Sequence, residues 1–166
     1  MSDDFEPARP RVRSYRAEDA RATLTIFLAA ITETAAADYS PEQVQAWARP
    51  DRRNLTEWDA ARKSRNTYVA VIGGEVVGFS DVAETGYIDM MFVSPTHARR
   101  GVARTLLTTL EQRARDAGAS RLTADVSITA RPFFERAGFQ VVAEQHPVTG
   151  GVQMTNFHMA KSLANS

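Results

Sequence analysis

Ile88-Asp89-Met90-Met91-Phe92-Val93-Ser94-Pro95-Thr96-His97-Ala98-Arg99-Arg100-Gly101-Val102-Ala103-Arg104 is the stretch whose reading decides the fold of this chain. An apolar run holding one acid leads into a basic turn with a glycine. Beyond Gly101 the residues Ala103, Leu106, Leu107, Leu110 and Ala114 keep helical spacing and predict one buried stripe. Arg99, Arg100 and Arg104 crowd the start of that helix, and no acid occurs between Pro95 and Leu110. A helix N-terminus carries partial positive charge and ordinarily collects Asp or Glu. Three arginines there oppose helix stability unless something anionic sits among them. Free N–H groups beside a glycine that admits close backbone approach suit a phosphate.

The rest of the chain bounds this reading. Its 166 residues are enough for one domain with a real core. Twenty basic and twenty acidic side chains cancel, so no general field points to nucleic acid and the arginine cluster needs a local cause. There is no cysteine, which removes disulfides, thiolate metal sites and a cysteine nucleophile, and agrees with a cytoplasmic location. No apolar run is long enough to span a membrane, and residues 1–10 read as a flexible tail without the apolar core of a signal peptide.

Between residues 11 and 163 the pattern predicts a single mixed α/β domain. Arg11–Arg16 reads as a strand, and Asp19 as the cap of a helix with Leu24, Phe27, Leu28 and Ile31 inward. Thr32–Ser40 is a small polar stretch; Ser40-Pro41 opens a short helix through Trp47, and a second surrounds Trp58. Thr67–Ile72 and Glu75–Val82 form a hairpin about Gly73-Gly74, and Tyr87–Val93 is the fourth strand. The central helix runs to about Ala117. A strand follows from Arg121, then a helix over Thr129–Ala137, and two strands, Phe139–Glu144 and Val152–Met159, close the order.

This order, with Ala98-Arg99-Arg100-Gly101-Val102-Ala103 at the central helix, resembles the GNAT (GCN5-related) N-acetyltransferases over nearly the whole chain. Their cofactor loop reads Gln/Arg-x-x-Gly-x-Gly/Ala; the glycine and the final small residue match, and Ala98 departs. A second landmark is Ala130-Arg131-Pro132-Phe133-Phe134-Glu135-Arg136-Ala137-Gly138-Phe139, similar to the family's Ala-x-x-Leu-Tyr-Glu-Lys-x-Gly-Phe. Ser127 stands where the family commonly has Asn, and Phe134 where it commonly has Tyr. The resemblance implies a mixed sheet of six to seven strands flanked by helices and splayed between the fourth and fifth strands. It implies acetyl-CoA as cosubstrate, no metal, and direct attack by an amine without an acyl-enzyme.

Acetyl-CoA binding is then expected from the backbone of Met91, Phe92 and Val93, where the family splays its sheet, and from Ala98, Arg99, Arg100, Gly101, Val102, Ala103 and Arg104. Phe134 is expected beside the cofactor. His97 reads as a solvated loop residue.

An alkylammonium near pKa ~10.4 must lose a proton before it attacks. Asp89 interrupts an apolar strand, where a carboxylate is costly unless paired or used. It is the candidate base or ammonium anchor, against a structural ion pair with Arg16 or another arginine. Tyr87, on the same strand face, is the reserve group. With Phe134 unable to protonate the leaving thiolate, Ser127, Thr129 and Tyr39 are the remaining hydroxyls. The central helix dipole with Arg99 and Arg100 is the electrostatic alternative, and the favoured one. Phe27, Tyr39, Trp47 and Trp58 are candidate pocket walls, and Asn156 and His158 alternate on the last strand toward the acceptor.

The resemblance implies an N-acetyltransferase for a primary amine of a small molecule or peptide, expected as monomer or homodimer, with no nucleic-acid or membrane partner expected. Two alternatives stay open. One is a catalytically weak acyl-CoA sensor or partner-binding module, favoured by Ala98 and Phe134. The other is an enzyme that modifies a lysine or N-terminus of another protein.

Overall fold

The computed structural model describes residues 9–163. The expected tail therefore lies, as far as residue 8, outside the described residues. Arg9 and Pro10 lead without regular structure into strand β1 (Arg11–Ser14).

Helix α1 (Ala20–Ala29) is preceded by a 3-10 turn over Ala17–Asp19. Asp19 does not cap α1 as expected. Its carboxylate instead takes Nη1 and Nη2 of Arg13 at 2.7 and 2.9 Å and the backbone N–H of Arg16 at 2.8 Å, which ties β1 to the turn. Phe27 and Ile31 are buried, while Leu24 and Leu28 are half-buried. The polar stretch that follows continues helically, through a π-turn (Ala30–Thr34) and a 3-10 turn (Ala35–Ala37).

Helix α2 (Pro41–Ala48) starts as the sequence predicts: Ser40 Oγ accepts the Gln43 N–H, Gln43 Oε1 accepts the Ser40 N–H, and Pro41 holds the first position. In α3 (Leu55–Ser64) the Asn54 side chain caps the N–H groups of Thr56 and Glu57.

The strands β2 (Thr67–Ile72), β3 (Glu75–Asp81), β4 (Tyr87–Ile88), β5 (Met91–Val93), β6 (Arg121–Ser127), β7 (Gln140–Gln145) and β10 (Asn156–Ser162) form two four-stranded sheets with β1. Their orders are β1-β2-β3-β5 and β4-β6-β10-β7. All pairings are antiparallel except β4 with β6. A small hairpin, β8 (Val148–Thr149) and β9 (Val152–Gln153), stands apart.

Two expected strands are broken. Tyr87–Val93 divides into β4 and β5 at Asp89-Met90, and Val152–Met159 divides into β9 and β10 at Met154-Thr155. The first break opens the splay expected between the Tyr87–Val93 strand and the next: before it the run pairs with β6, and after it Met91–Val93 part from β6 and pair with β3.

Helix α4 (Val102–Asp116) lies across both sheets on one face. Val102 and Leu106 pack on Ala70 and Val77 of the first sheet. Leu107, Leu110 and Ala114 pack on Leu122, Ala124 and Met159 of the second. Each such leucine contributes roughly 1.5–3 kcal/mol by leaving water. Val102 rather than Ala103 heads the buried stripe, because the helix begins with Val102 facing the sheet. Gly78 makes this approach possible: a Cβ there would lie 2.8 Å from Val102 Cγ1 and 3.1 Å from the Phe92 carbonyl oxygen. On the opposite face of the first sheet, α1 and α3 bury Phe27 and Trp58 against Val69 and Phe79. Helix α5 (Arg131–Arg136) adds Phe134 to the core of the second sheet.

Candidate active site

The site is built around the place where the chain changes sheets. The carboxylate of Asp81, at the end of β3, accepts the backbone N–H of Asp89 at 2.8 Å and that of Met90 at 3.2 Å. The Met90 carbonyl oxygen accepts the Ser80 hydroxyl at 2.6 Å and the Asp81 N–H at 3.3 Å. Arg62, stacked on Trp58, turns a guanidinium N–H toward the Met90 sulfur. Two residues that would otherwise be unpaired in mid-strand are thereby satisfied by their neighbour's side chains. Asp81 is 2% exposed, and burial outweighs the N–H bonds it accepts, so its carboxyl is pushed up to about 6. Sequence reasoning missed Asp81, although it carries the signal that marked Asp89: an acid in an apolar strand.

Because β5 is the last strand of its sheet, one edge of Met91–Val93 pairs with β3 and the other faces the gap toward β6. On one side of this gap is a cleft of about 780 Å³. Its walls include Met91, Phe92 and Val93 and the turn residues Ala98, Arg99 and Gly101. The first turn of α4 adds Val102, Ala103 and Arg104. Gly101 caps the helix in the left-handed region, φ 78°, with no side-chain cap and no acid in the first turn, so the N–H groups there are available to a ligand. Arg99 is also left-handed, φ 64°. Arg100 is exposed and is not part of the wall, whereas His97, expected in solvent, is. Arg136 faces the cleft from α5, a cation that the sequence placed only as a motif position.

On the other side of the gap lies a cavity of about 280 Å³. Trp47, Met91, Phe92, Ser127, Ala130 and Phe134 belong to the walls of both spaces, so the two meet at the open edge of β5. Phe27, Tyr39, Asp89 and Asn156 line the smaller one, as does Asp125, which the sequence did not single out.

Asp89 Oδ2 pairs with Arg65 Nη1 at 3.0 Å, not with Arg16, which pairs with Glu18. The Asp89 side chain is 27% exposed. Tyr87 and His158 do not line the cavity. They hold Asp125 from behind: Tyr87 Oη donates to Oδ2 at 3.1 Å, and His158 Nδ1 lies 2.9 Å from Oδ1. Burial, then the Asp125 charge, pushes the Tyr87 phenol up to about 12.

Residues 35–163 match the model of the acetyltransferase (GNAT) domain. The chain belongs to the GNAT acetyltransferase family. It is 42% identical over 149 residues to YafP of Escherichia coli (strain K12), an uncharacterized N-acetyltransferase, covering 90% of this chain and 93% of that one. A GCN5-related N-acetyltransferase from Rhodopseudomonas palustris superposes with a TM-score of 0.89 at 34% identity, over 95% of this chain and 98% of that one. YncA of Salmonella typhimurium, a putative acetyltransferase solved with its cofactor acetyl-CoA, shares the fold at a TM-score of 0.71 and 19% identity, over 96% of each chain.

The hydroxyls of this GNAT domain are largely committed. Tyr39 Oη donates to the Thr155 carbonyl at 2.7 Å and accepts the Ile128 N–H at 2.9 Å, and burial raises its pKa. Thr129 Oγ1 donates to Asp38 at 2.8 Å. Ser127 Oγ accepts the Ala130 N–H at 3.1 Å, and among the described residues nothing takes its own proton. Phe134 is buried between Phe133 and Phe139. Trp58 is a core residue whose Nε1 bonds Thr23, outside both spaces. Among the described residues, no helix is long and apolar enough to cross a membrane.

Proposed function

We propose that this chain is an acetyl-CoA-dependent N-acetyltransferase that acts on a primary amine by direct attack. One observation carries this: two spaces of unequal size, one rimmed by arginines and a helix N-terminus, meet at an unpaired strand edge. The larger suits a nucleotide thioester, with its pyrophosphate over Gly101 and among Arg99, Arg104 and Arg136, and its pantetheine arm along Met91–Val93. The relative solved with acetyl-CoA supports that assignment.

Acetyl-CoA supplies an activated acetyl group. Asp89 takes the proton from the substrate ammonium, leaving a lone pair on nitrogen. A main-chain N–H on the open edge of β5 stabilises charge on the thioester oxygen. The nitrogen–carbon bond forms as the carbon–sulfur bond breaks, and the second nitrogen proton ends on the thiol. Phe134 offers no hydroxyl, so the α4 dipole and Arg99 stabilise the departing thiolate, whose intrinsic pKa of ~8.5 makes it a fair leaving group.

Phe134 also favours the second reading, an acyl-CoA sensor with little turnover. Release of CoA on mixing acetyl-CoA with a panel of amines separates the two: turnover above hydrolysis identifies the enzyme, and tight acetyl-CoA binding without turnover identifies the sensor.

A further inference from the structure

The smaller cavity has a chemical bias of its own. Its residues include the carboxylates of Asp89 and Asp125 and no Arg, Lys or His. Arg65 holds one oxygen of Asp89, whereas Tyr87 holds Oδ2 of Asp125 and Gln145 and His158 hold its Oδ1, each from outside the wall. Asp89 Oδ1 has no partner among the described residues. Among the described residues, Asn156 Oδ1 is buried without a hydrogen-bond partner. Such an acceptor costs about 1–3 kcal/mol until a donor reaches it.

The opposite wall is aromatic. Tyr39 and Trp47 have centroids 5.5 Å apart, Trp47 and Phe92 6.1 Å, and Phe27 and Phe92 5.1 Å. Arg53 lies over the Phe27 ring at 4.6 Å, outside the cavity wall, and two of its donors are spent on the Ala48 and Trp47 carbonyls. It supplies no counter-charge to a ligand inside. The volume of about 280 Å³ is at the low end for ligand sites.

Resting on the transferase reading above, we propose that the acceptor is a compact cationic amine with an apolar body of about one ring and no anionic group. The ammonium meets Asp89, with a further N–H donor group of the substrate toward Asn156 Oδ1 or Asp125. The ring lies on the Trp47–Phe92 shelf, where a cation is also welcome. A carboxylate or phosphate on the same molecule would be desolvated beside two carboxylates with no cation in the wall, which selects against it. The two spaces thus sort charge: anionic cosubstrate on the arginine side, cationic acceptor on the aspartate side.

The test uses 2-phenylethylamine and L-phenylalanine, which differ by one carboxylate, against the full chain. Binding of each is measured by calorimetry with and without CoA, turnover is followed as CoA release, and acetyl-CoA affinity is measured separately. The expected result is binding of 2-phenylethylamine, with kcat/KM on the order of 100-fold or more above that of phenylalanine. Asp89→Asn and Asp125→Asn should each weaken amine binding about tenfold, while acetyl-CoA affinity and melting temperature report that the variants are folded. Equal or better binding of phenylalanine overturns the proposal. So does failure of both to bind a protein that binds acetyl-CoA; the transferase reading would survive that outcome. Failure to bind acetyl-CoA overturns the transferase reading instead, and amine binding to the CoA-free protein is still read independently.

Discussion

Asp81 holds the backbone N–H of Asp89 at 2.8 Å, one carboxylate fixing the main chain under another. The second oxygen of Asp81 takes the next N–H, of Met90. A carboxylate can accept both bonds at once. An amide offers one acceptor and one donor, so Asp81→Asn leaves one N–H facing another.

The first prediction follows from that asymmetry. Asp81→Asn should destabilise the fold by about 1–3 kcal/mol, the cost of a buried unpaired donor. It should also lower kcat/KM without removing any group that touches substrate. Urea melts and steady-state kinetics check this; unchanged values for both would show that the crossing is held by other contacts.

Stability should depend on pH through the same residue. Burial lifts the Asp81 carboxyl from its ordinary 3.8 to about 6. Between those values the folded chain binds the proton that the unfolded chain has lost. The contribution is therefore complete at low pH and is lost as pH rises through about 6. The stability of the wild type relative to Asp81→Asn should fall by on the order of 1–3 kcal/mol from about pH 4 to 7. A difference that grows over that range would reverse the sign and refute the assignment.

Asp89 is separable from its ion pair. Asp89→Asn should keep acetyl-CoA affinity and lower kcat. Arg65→Ala breaks the same half-exposed pair and should cost under about 1 kcal/mol, with kcat largely kept. Equal kinetics in the two variants would reduce Asp89 to a structural partner.

At the helix start, Gly101→Glu should abolish acetyl-CoA binding, because it sets a negative charge where the pyrophosphate is proposed to lie. Gly101→Ala is the control. Nothing lies within 4 Å of an added Cβ there, but the left-handed backbone should cost about 1–2 kcal/mol. Calorimetry should show binding for Ala and none for Glu, with both folded by circular dichroism.

Phe134→Tyr should raise kcat by about tenfold or less, roughly 1.4 kcal/mol, since the helix dipole and Arg99 already stabilise the leaving group. Ser127→Ala should lower stability by about 1 kcal/mol through the lost bond to Ala130 and change kcat little. A hundredfold loss of kcat in Ser127→Ala, with affinity for acetyl-CoA intact, would make Ser127 the proton donor.

Local rules made much of this fold legible. Ser40-Pro41, Gly73-Gly74 and the spacing after Gly101 act within a few residues, and the chain obeys them. The basic helix start was legible for the same reason: its charges violate a rule that holds inside one turn. What escaped was tertiary. Periodicity runs through Tyr87–Val93 without a break, because the break is imposed by Asp81 on another strand. The arginine that reaches Asp89 is Arg65, at the exit of α3, and no spacing rule connects them. Arg100 and Arg99 look alike in sequence, yet only the left-handed backbone at Arg99 and Gly101 decides which one faces the cleft. No local pattern marks Asp125, on which Tyr87, Gln145 and His158 converge only in the folded chain.

Since β4 and β5 are one run of chain shared by two sheets, their joint at Asp89-Met90 belongs to the cosubstrate side and the acceptor side alike. A ligand that changes the angle between the sheets from one side alters the fit on the other. Thermodynamic linkage then makes the effect mutual: whatever factor the cosubstrate adds to the affinity for an amine, the amine must return to the cosubstrate.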